Sequence, residues 1–351
     1  MDAEPHDPQG GLWPQPNSTL NFRPETKNRA AEKKSPPRPL RPFRPCEKDP
    51  RRSSIGVGEQ DLSRPESLIS TSDQDHLIAQ AADAVRRLAG DAPRPLAIIA
   101  GSGLVELAGV LSLERRIPPD AIPHLPLPSV LGHHGGLLVG RIGSLGTIFF
   151  AGRAHLYEGW TPWQSAFTVH LAARLGAKIL LATNATGGLS AQLRPGDLVR
   201  LTDQINLTFR NLPVPPHGPN SPLANRHEPL YDSTLGQQLR EAARCEKISL
   251  KDGIYAGMLG PSYETRAESA MLDYIGADVV GMSTVGEILA ARRLGLRTVG
   301  LSCVANVVPQ WGREHNINHA EVLDRVSAAV EQLRRLIVRW AGMVADNDAN
   351  R

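Results

Sequence analysis

The stretch from Lys178 to Gly188, which reads K-I-L-L-A-T-N-A-T-G-G, decides the fold of this chain. Ile179 to Ala182 form a short apolar run before two glycines, which is typical of a strand buried on both faces of a parallel sheet. In open α/β sheets, ligands bind just beyond the carboxyl ends of such strands. We therefore predict that Asn184 to Gly188 form the floor of a binding site where the strand stops. The alternative is a strand followed by an ordinary glycine turn.

Strand and helix patterns alternate on both sides of this stretch. The predicted strands are 96–100, 137–142, 147–150, 179–182, 197–201, 254–258, 278–280 and 297–304. The predicted helices run from an N-cap at Ser72 to Gly90, from Pro162 to about Gly176, over 235–243, over about 286–294, and from His319 to about Val344. Such alternation predicts an α/β fold, in one domain over residues 73–345. Residues 346–351 are predicted to be a short polar tail.

Composition limits the classes of function. The chain has 351 residues, 41% of them hydrophobic, and a formal net charge of only +3, which gives no reason to expect a nucleic-acid partner. Cys46, Cys245 and Cys303 lie far apart without metal-ligand spacing, which suits a reducing compartment. The start of the chain is acidic and has no apolar core, and no apolar run reaches membrane-spanning length. We therefore expect a soluble, cytoplasmic protein with no membrane partner.

Residues 1–72 differ from the remainder. They hold 12 of the 29 prolines, and Asn21 to Arg52 contain 11 Lys and Arg against 4 Asp and Glu. The alternation of Pro and Arg over residues 38–45 cannot build a core and favours extended polyproline conformations. We predict a solvated, disordered extension or a mis-assigned start codon. The functional alternative is an arm that contacts anionic surfaces.

Polar groups follow several predicted strands. Gly101-Ser102-Gly103 offers a hydroxyl and backbone N–H groups that suit an oxyanion such as phosphate, although it is also an ordinary turn sequence. Arg153 and His155 are two residues apart, so in an extended segment both side chains would point to one side and could donate to a single anion. The alternative is an exposed arginine and a hydrogen-bonded histidine. Ser283 begins a helix, where its hydroxyl either caps backbone N–H groups or binds an anion.

Two further residues suit recognition of a heterocyclic base. Glu264 stands beside Tyr263, and a carboxylate next to a ring can accept hydrogen bonds from the N–H edge of a heterocycle. The alternative is a surface glutamate near the start of a helix. Asn306 carries a donor and an acceptor at the end of a buried strand, where it either reads a base edge or pairs with the backbone.

Six short motifs occur in a fixed order along the chain. They are Gly-Ser-Gly at 101–103, Gly-Arg-X-His-X-Tyr-Glu-Gly at 152–159, Thr-Asn-Ala-X-Gly-Gly at 183–188, Gly-Pro-Ser-Tyr-Glu-Thr at 260–265, Val-Gly-Met-Ser-Thr at 280–284 and Asn-His-X-Glu-Val-Leu at 318–323. Together and in this order, they resemble the motifs of the trimeric purine nucleoside phosphorylases. The resemblance extends from about Leu77 to Val344.

The resemblance implies a nucleoside phosphorylase-like fold, with a mixed and largely buried central sheet flanked by helices, and it implies a specific reaction. The family transfers the pentose of a purine nucleoside to phosphate, and here the implied substrates are 6-oxopurine nucleosides such as inosine and guanosine, in purine salvage by a homotrimer. No metal or organic cofactor is implied. Phosphate would be bound by Ser102, His133, Arg153, His155, Ala185 and Ser283. The nucleoside would be bound by Tyr157, Ala185, Tyr263, Glu264, Val280, Gly281, Met282, Asn306 and His319. The implied catalytic residues are Asn306, Glu264 and His155.

The chain departs from the family pattern at several positions. Ala305 stands where a threonine is frequent before the base-reading asparagine, and Val307 stands where lysine or another residue is usual. Gly286 replaces a frequent proline. The loop that carries a phenylalanine into the neighbouring subunit is shorter here, and His227 falls near that position. These departures concern fine specificity and the contact between subunits.

Three other interpretations of the sequence compete with a purine nucleoside phosphorylase. A methylthioadenosine phosphorylase of the same superfamily would carry acidic residues near position 306 and a different motif at 260–265. A non-catalytic nucleoside-binding protein would be expected to lose phosphate ligands, whereas this sequence keeps them. A third interpretation assigns the main function to the Pro/Arg-rich residues 1–72, and their deletion followed by an activity assay would test it.

Overall fold

The computed structural model describes residues 71–128, 136–210, 229–308 and 319–349. The strands are β1 (Leu96–Ile99), β2 (Ser112–Ile117), β3 (Gly136–Ile142), β4 (Leu145–Ala151), β5 (Ile179–Gly188), β6 (Leu198–Leu207), β7 (Leu250–Met258), β8 (Val279–Gly281) and β9 (Arg297–Val307). The α-helices are α1 (Thr71–Ala89), α2 (Pro162–Ser165), α3 (Phe167–Arg174), α4 (Ser233–Cys245), α5 (Arg266–Tyr274), α6 (Val285–Arg293) and α7 (His319–Ala349).

The strands form one mixed sheet in the order β2-β3-β4-β1-β5-β8-β7-β6-β9, and β9 also pairs with β5. The strands from β5 to β9 therefore close into a ring, and β4 and β1 extend the sheet from β5. Pairing is parallel between β1 and β4, between β1 and β5, and between β5 and β9, whereas β5 and β8 are antiparallel. The predicted α/β fold with a mixed central sheet is confirmed.

Helices cover the two faces of the sheet with separate apolar clusters. Ile99 and Leu180 point into a cluster with α1, α3 and α6, whereas their neighbours Ile98 and Leu181 point into a cluster with α4 and α7. This alternation follows from the two-residue period of a strand. Because both faces are covered, the central strands β1 and β4 are buried at every position and not only at alternate residues.

The predicted end of the central strand is wrong. We expected the strand to stop after Ala182, but β5 continues to Gly188 because β9 offers it a parallel hydrogen-bonding partner as far as Val307. Gly187 and Gly188 are thus strand residues rather than a turn. A Cβ atom on Gly187 would lie 2.5 Å from Cγ2 of Val308, so the close packing of the strands requires glycine here.

Other boundaries also differ. Strand β2 was not predicted, because all of its residues except Ile117 are exposed and no apolar pattern marks it. The helix predicted from Pro162 is broken between α2 and α3 at Ala166. Helix α1 already includes Ser72, which therefore does not cap it, and α7 continues through most of the predicted tail. Most of the loop predicted at 209–230 lies outside the described residues.

Among the described helices, none combines the length and the apolar character that crossing a membrane would require.

Candidate active site

A cavity of about 770 Å³ lies over the carboxyl ends of β1 and β4, along the second half of β5, and against β8 and β9. It is lined by every predicted site residue whose side chain is described: Ser102, Arg153, His155, Tyr157, Ala185, Tyr263, Glu264, Val280, Gly281, Met282, Ser283 and Asn306. His133 lies outside the described residues, and only the backbone of His319, at the start of α7, is described. The structure therefore brings these predicted site residues together in one cavity.

Strand β5 sets the length of the cavity. Arg153 donates to the carbonyl of Thr183, and Gly187 lies between Val280 and Asn306 of the neighbouring strands. A strand advances about 3.3 Å per residue, so these two groups of contacts lie about 13 Å apart along β5. We name them after the ligands predicted from the sequence: the anion end, at Thr183, and the base end, at Gly187.

Arg153 dominates the anion end. It follows β4 and Gly152, whose φ is 127°. Arg153 itself is only 3% exposed. Its Nη2 donates to the carbonyl of Thr183 at 2.7 Å, and its Nη1 donates to Oγ of Ser283 at 3.0 Å. Its Nε lies 2.9 Å from Oε1 of Glu287. The guanidinium is therefore fixed on three sides, and the alternative of an exposed arginine is excluded.

Ser102 reaches the anion end through close packing of the turn that follows β1. A Cβ atom on Gly101 would lie 2.6 Å from Cα of Asn184, so only glycine lets this turn approach β5. The backbone N–H of Gly101 donates to Oγ1 of Thr183 at 3.3 Å, and that hydroxyl donates to the carbonyl of Ile99. The turn is thereby attached to the same strand as Arg153.

His155 is oriented by a neighbouring carboxylate. Oε1 of Glu158 lies 2.9 Å from Nδ1 of His155 and also accepts the backbone N–H of His155. Since a carboxylate can only accept, Nδ1 carries the proton and Nε2 of the neutral ring is unprotonated. Burial lowers the pKa of His155 against the opposing effect of the Glu158 hydrogen bond, and the nearby Arg153 lowers it further. A neutral ring with an accepting Nε2 is thus favoured.

Between the two ends, Tyr157 and Met282 form an apolar wall. The rings of His155 and Tyr157 stack with centroids 4.8 Å apart and planes 14° apart. A Cβ atom on Gly260 would lie 2.4 Å from Sδ of Met282 and 3.1 Å from Cδ1 of Tyr157, so the loop after β7 packs against both side chains. This wall is apolar where a sugar ring would lie between an anion and a base.

The base end presents two polar side chains. Glu264 lies between β7 and α5 and is half-buried, and Asn306 lies on β9 beside Gly187. Burial raises the pKa of Glu264, its own backbone N–H lowers it, and the nearby Glu268 raises it. Val280 and Val308 supply the apolar surface between them.

Several residues of this region were not among the predicted site residues. Asn184 and Gly187 line the cavity, and the sequence pointed to them only as part of its floor. Thr284 and Glu287 surround Arg153, and Glu158 orients His155. The Thr-X-X-Glu spacing at 284–287 was visible in the sequence, but it is the ordinary signal for a helix cap.

Comparisons with known proteins agree with this geometry. Residues 95–341 match the profile of the phosphorylase superfamily. The chain is 36% identical over 266 residues to the purine nucleoside phosphorylase of Mycobacterium leprae, which covers 76% of this chain and 95% of the relative. The chain belongs to the phosphorylase superfamily and, within it, to the purine nucleoside phosphorylases.

Solved structures with the same fold support this assignment. The Schistosoma mansoni purine nucleoside phosphorylase in complex with adenosine matches with a TM-score of 0.67 and 30% identity, over 76% of this chain and 96% of that one. Isoform 2 of the Schistosoma mansoni enzyme, in complex with cytosine and ribose-1-phosphate, matches with a TM-score of 0.67 and 33% identity, over 76% and 95%.

Proposed function

We propose that this protein cleaves 6-oxopurine nucleosides with inorganic phosphate, giving the free base and pentose 1-phosphate, as a purine salvage enzyme of the cytoplasm. The observation that carries this proposal is a single cavity with a buried, rigidly held Arg153 at one end and the polar pair Glu264 and Asn306 at the other. Binding both reactants in one cavity converts a bimolecular reaction into one between prepositioned groups.

The chemistry needs compensation of two developing charges. As the N-glycosidic bond breaks, positive charge builds on the sugar and negative charge on the leaving purine. A phosphate dianion beneath the sugar stabilises the first and then forms the new bond to the anomeric carbon. The amide of Asn306 donates a hydrogen bond to the second at N7 of the purine. No protein nucleophile is required, and we propose that phosphate is a co-substrate and that no cofactor takes part.

The hydrogen bond between His155 and Glu158 supports one way in which the histidine ring would bind phosphate. With Nδ1 donating to Glu158, its neutral ring offers only the Nε2 lone pair. Hydrogen phosphate still carries one proton, so its P–OH group can donate to Nε2 while its charged oxygens accept from Arg153 and Ser283. His155 thus favours the orientation in which an unprotonated oxygen faces the sugar.

The choice of base depends on Glu264 and Asn306. A 6-oxopurine presents N1–H as a donor and O6 and N7 as acceptors, so the Glu264 carboxylate accepts from N1–H and the Asn306 amide donates to O6 or N7. Adenine has an unprotonated N1 that would face the carboxylate lone pair to lone pair. Mispairing of buried polar groups can change specificity by about 10⁴-fold. Because the S. mansoni relative has a structure with adenosine, the proposal concerns turnover and not binding alone.

An assay of base release from inosine, guanosine and adenosine, with and without inorganic phosphate, tests this proposal. We expect rapid release from inosine and guanosine only when phosphate is present, and very slow release from adenosine. Comparable kcat/KM values for adenosine and inosine would contradict the roles of Glu264 and Asn306 but leave phosphorolysis standing. Base release that does not depend on phosphate would contradict phosphorolysis itself.

A further inference from the structure

Two segments of the chain share a Thr-X-X-Glu pattern before a helix of nine residues. They are Thr265 to Glu268 before α5 and Thr284 to Glu287 before α6. In a capping box, the threonine hydroxyl accepts the third backbone N–H of the helix and the glutamate accepts the backbone N–H of the threonine. Before α5 both bonds form, at 3.2 Å and 2.7 Å.

Before α6 the capping box does not form. Thr284 has φ 67° and ψ −48° and makes no side-chain cap bond. The backbone N–H of Val285 donates to the carbonyl of Ser283 at 2.7 Å, which makes Thr284 the centre of a γ-turn with positive φ. This turn is rare and strained, and a β-branched residue in it is a genuine outlier. Such strain persists only where surrounding contacts hold it.

The side chains of Thr284 and Glu287, which do not cap α6, contact the anion end of the cavity instead. Oγ1 of Thr284 accepts from Nδ2 of Asn184 at 2.8 Å, lies 3.1 Å from Oγ of Ser283, and accepts a longer bond from Nη1 of Arg153 at 3.5 Å. Glu287, only 3% exposed, places Oε1 at 2.9 Å from Nε of Arg153. Neither carboxylate oxygen makes a well-aligned hydrogen bond within the described residues, so the charge of Arg153 compensates this burial.

These contacts leave the guanidinium of Arg153 one orientation. Its Nε faces Glu287, and its Nη2 donates to the carbonyl of Thr183. Its Nη1 points toward Ser283, which lines the cavity. Because a guanidinium is planar, fixing Nε and Nη2 also fixes the direction of the Nη1 donors.

We infer that Thr284 and Glu287 are positioning residues, which give up a helix cap in order to aim Arg153 and Ser283 at phosphate. The inference rests on the proposed function, since it takes phosphate as the ligand of Arg153. The alternative is a purely structural role, in which the two residues only stabilise the start of α6 and the buried charge.

Glu287→Gln and the matched control Glu268→Gln test this inference, because each removes one charge from the third position of a nine-residue helix. Binding of inorganic phosphate to the nucleoside-free protein is measured by calorimetry. We expect Glu287→Gln to weaken phosphate binding by about tenfold or more, because Arg153 would lose the orientation of its charge-assisted hydrogen bond to phosphate. Glu268→Gln should lower the melting temperature and leave phosphate affinity unchanged.

Thr284→Gly keeps the test decisive if Glu287→Gln does not fold. Glycine relieves the strained φ, so the melting temperature should hold or rise, whereas loss of the hydroxyl should weaken phosphate binding severalfold with nucleoside affinity preserved. Thr284→Ser restores the hydroxyl and should recover most of the phosphate affinity. Wild-type phosphate affinity in Thr284→Gly, or an equal loss of nucleoside affinity, would overturn the inference.

The wild-type protein separates this inference from the proposed function. A wild-type protein that binds phosphate but forms no pentose 1-phosphate would overturn the proposed function alone, and the variants would still decide the positioning role. A wild-type protein that binds no phosphate would overturn both.

Discussion

The polar residues at the two ends of the cavity differ in how many hydrogen bonds they make within the protein. At the anion end, Arg153 and Ser283 already bond to each other and to their surroundings. At the base end, the side chains of Glu264 and Asn306 make no hydrogen bond to another described residue. Under the proposed function, the anion end is organised before phosphate arrives, which would favour electrostatic catalysis. The base end would then use its hydrogen-bonding groups to discriminate between bases.

Arg153→Ala tests the anion end. Loss of a charge-assisted hydrogen bond in this buried position should raise the phosphate KM by about ten- to a hundredfold and spare nucleoside binding. Steady-state kinetics with each substrate varied in turn measure the effect. Arg94→Ala is the control, since Arg94 is also buried and donates to backbone carbonyls, but away from the cavity. Unchanged phosphate saturation in Arg153→Ala would remove Arg153 from the phosphate site.

Asn306→Asp tests the base end. A carboxylate can accept from a 6-amino group but cannot donate to O6 or N7, so the ratio of kcat/KM for inosine to that for adenosine should fall. The phosphate KM serves as an internal control and should not change. Ala305 carries no hydroxyl that could hold the neighbouring amide, so the size of the fall also measures how firmly Asn306 is held. An unchanged ratio would show that Asn306 does not read position 6.

The positions predicted best are those of the site residues at strand ends. These residues follow successive strands along the chain, and ligands bind where the carboxyl ends of such strands meet. Thr284 and Glu287 could not be predicted, since their spacing equals that of the true capping box at Thr265 and Glu268. Only the position of Arg153 beside α6 shows that the second pair serves another purpose. Local pattern therefore failed where a tertiary contact with a buried charge outweighed a helix cap.

At the scale of elements, the layer of α1, α3 and α6 carries a half-buried titratable group. His170 on α3 packs near Trp163, with ring centroids 6.1 Å apart. Burial lowers its pKa from 6.5 to about 4; the carboxylate of Asp75 opposes this shift, and Arg293 adds to it. The helical layer therefore holds His170 in its neutral form.

This burial predicts a pH dependence of stability. As pH falls below 6.5, the unfolded chain binds a proton at His170 before the folded protein does, so the free energy of unfolding should decrease until about pH 4. Denaturant unfolding at a series of pH values measures the slope. His170→Gln removes the titration and should show a smaller decrease over the same range. Equal slopes for the two proteins would contradict a lowered pKa of His170 in the folded protein.

Whole elements were predicted where their apolar pattern was strong. Strands β1 and β4 are buried at every position and were found in the sequence, whereas β2 is mostly exposed and was missed. The end of β5 was misplaced because Asn184 and the two glycines argue for a turn locally. Pairing with β9 outweighs that tendency, and no short window of sequence contains this information.

At the scale of the whole molecule, the described residues expose several large apolar side chains. Phe209 is 84% exposed, Tyr263 83% and Tyr274 91%. Tyr263 also lines the cavity. Aromatic side chains are enriched where a protein surface contacts another chain. They favour the homotrimer that the family resemblance implies.

Sedimentation of the full chain tests this assembly. We expect a species of about three times 38.0 kDa at working enzyme concentrations. Tyr274→Lys, which lies outside the cavity lining, should weaken association and leave the fold intact. A fully active wild-type monomer would contradict the homotrimer without affecting the proposed reaction.

Identification of the products shows most directly whether one cavity transfers a pentose from a purine to phosphate. The wild-type protein is incubated with inosine and inorganic phosphate, and phosphorus NMR follows the phosphate while absorbance follows the base. Pentose 1-phosphate and hypoxanthine should appear in equal amounts, and neither should appear without phosphate. Free ribose and hypoxanthine formed without consumption of phosphate would contradict this transfer.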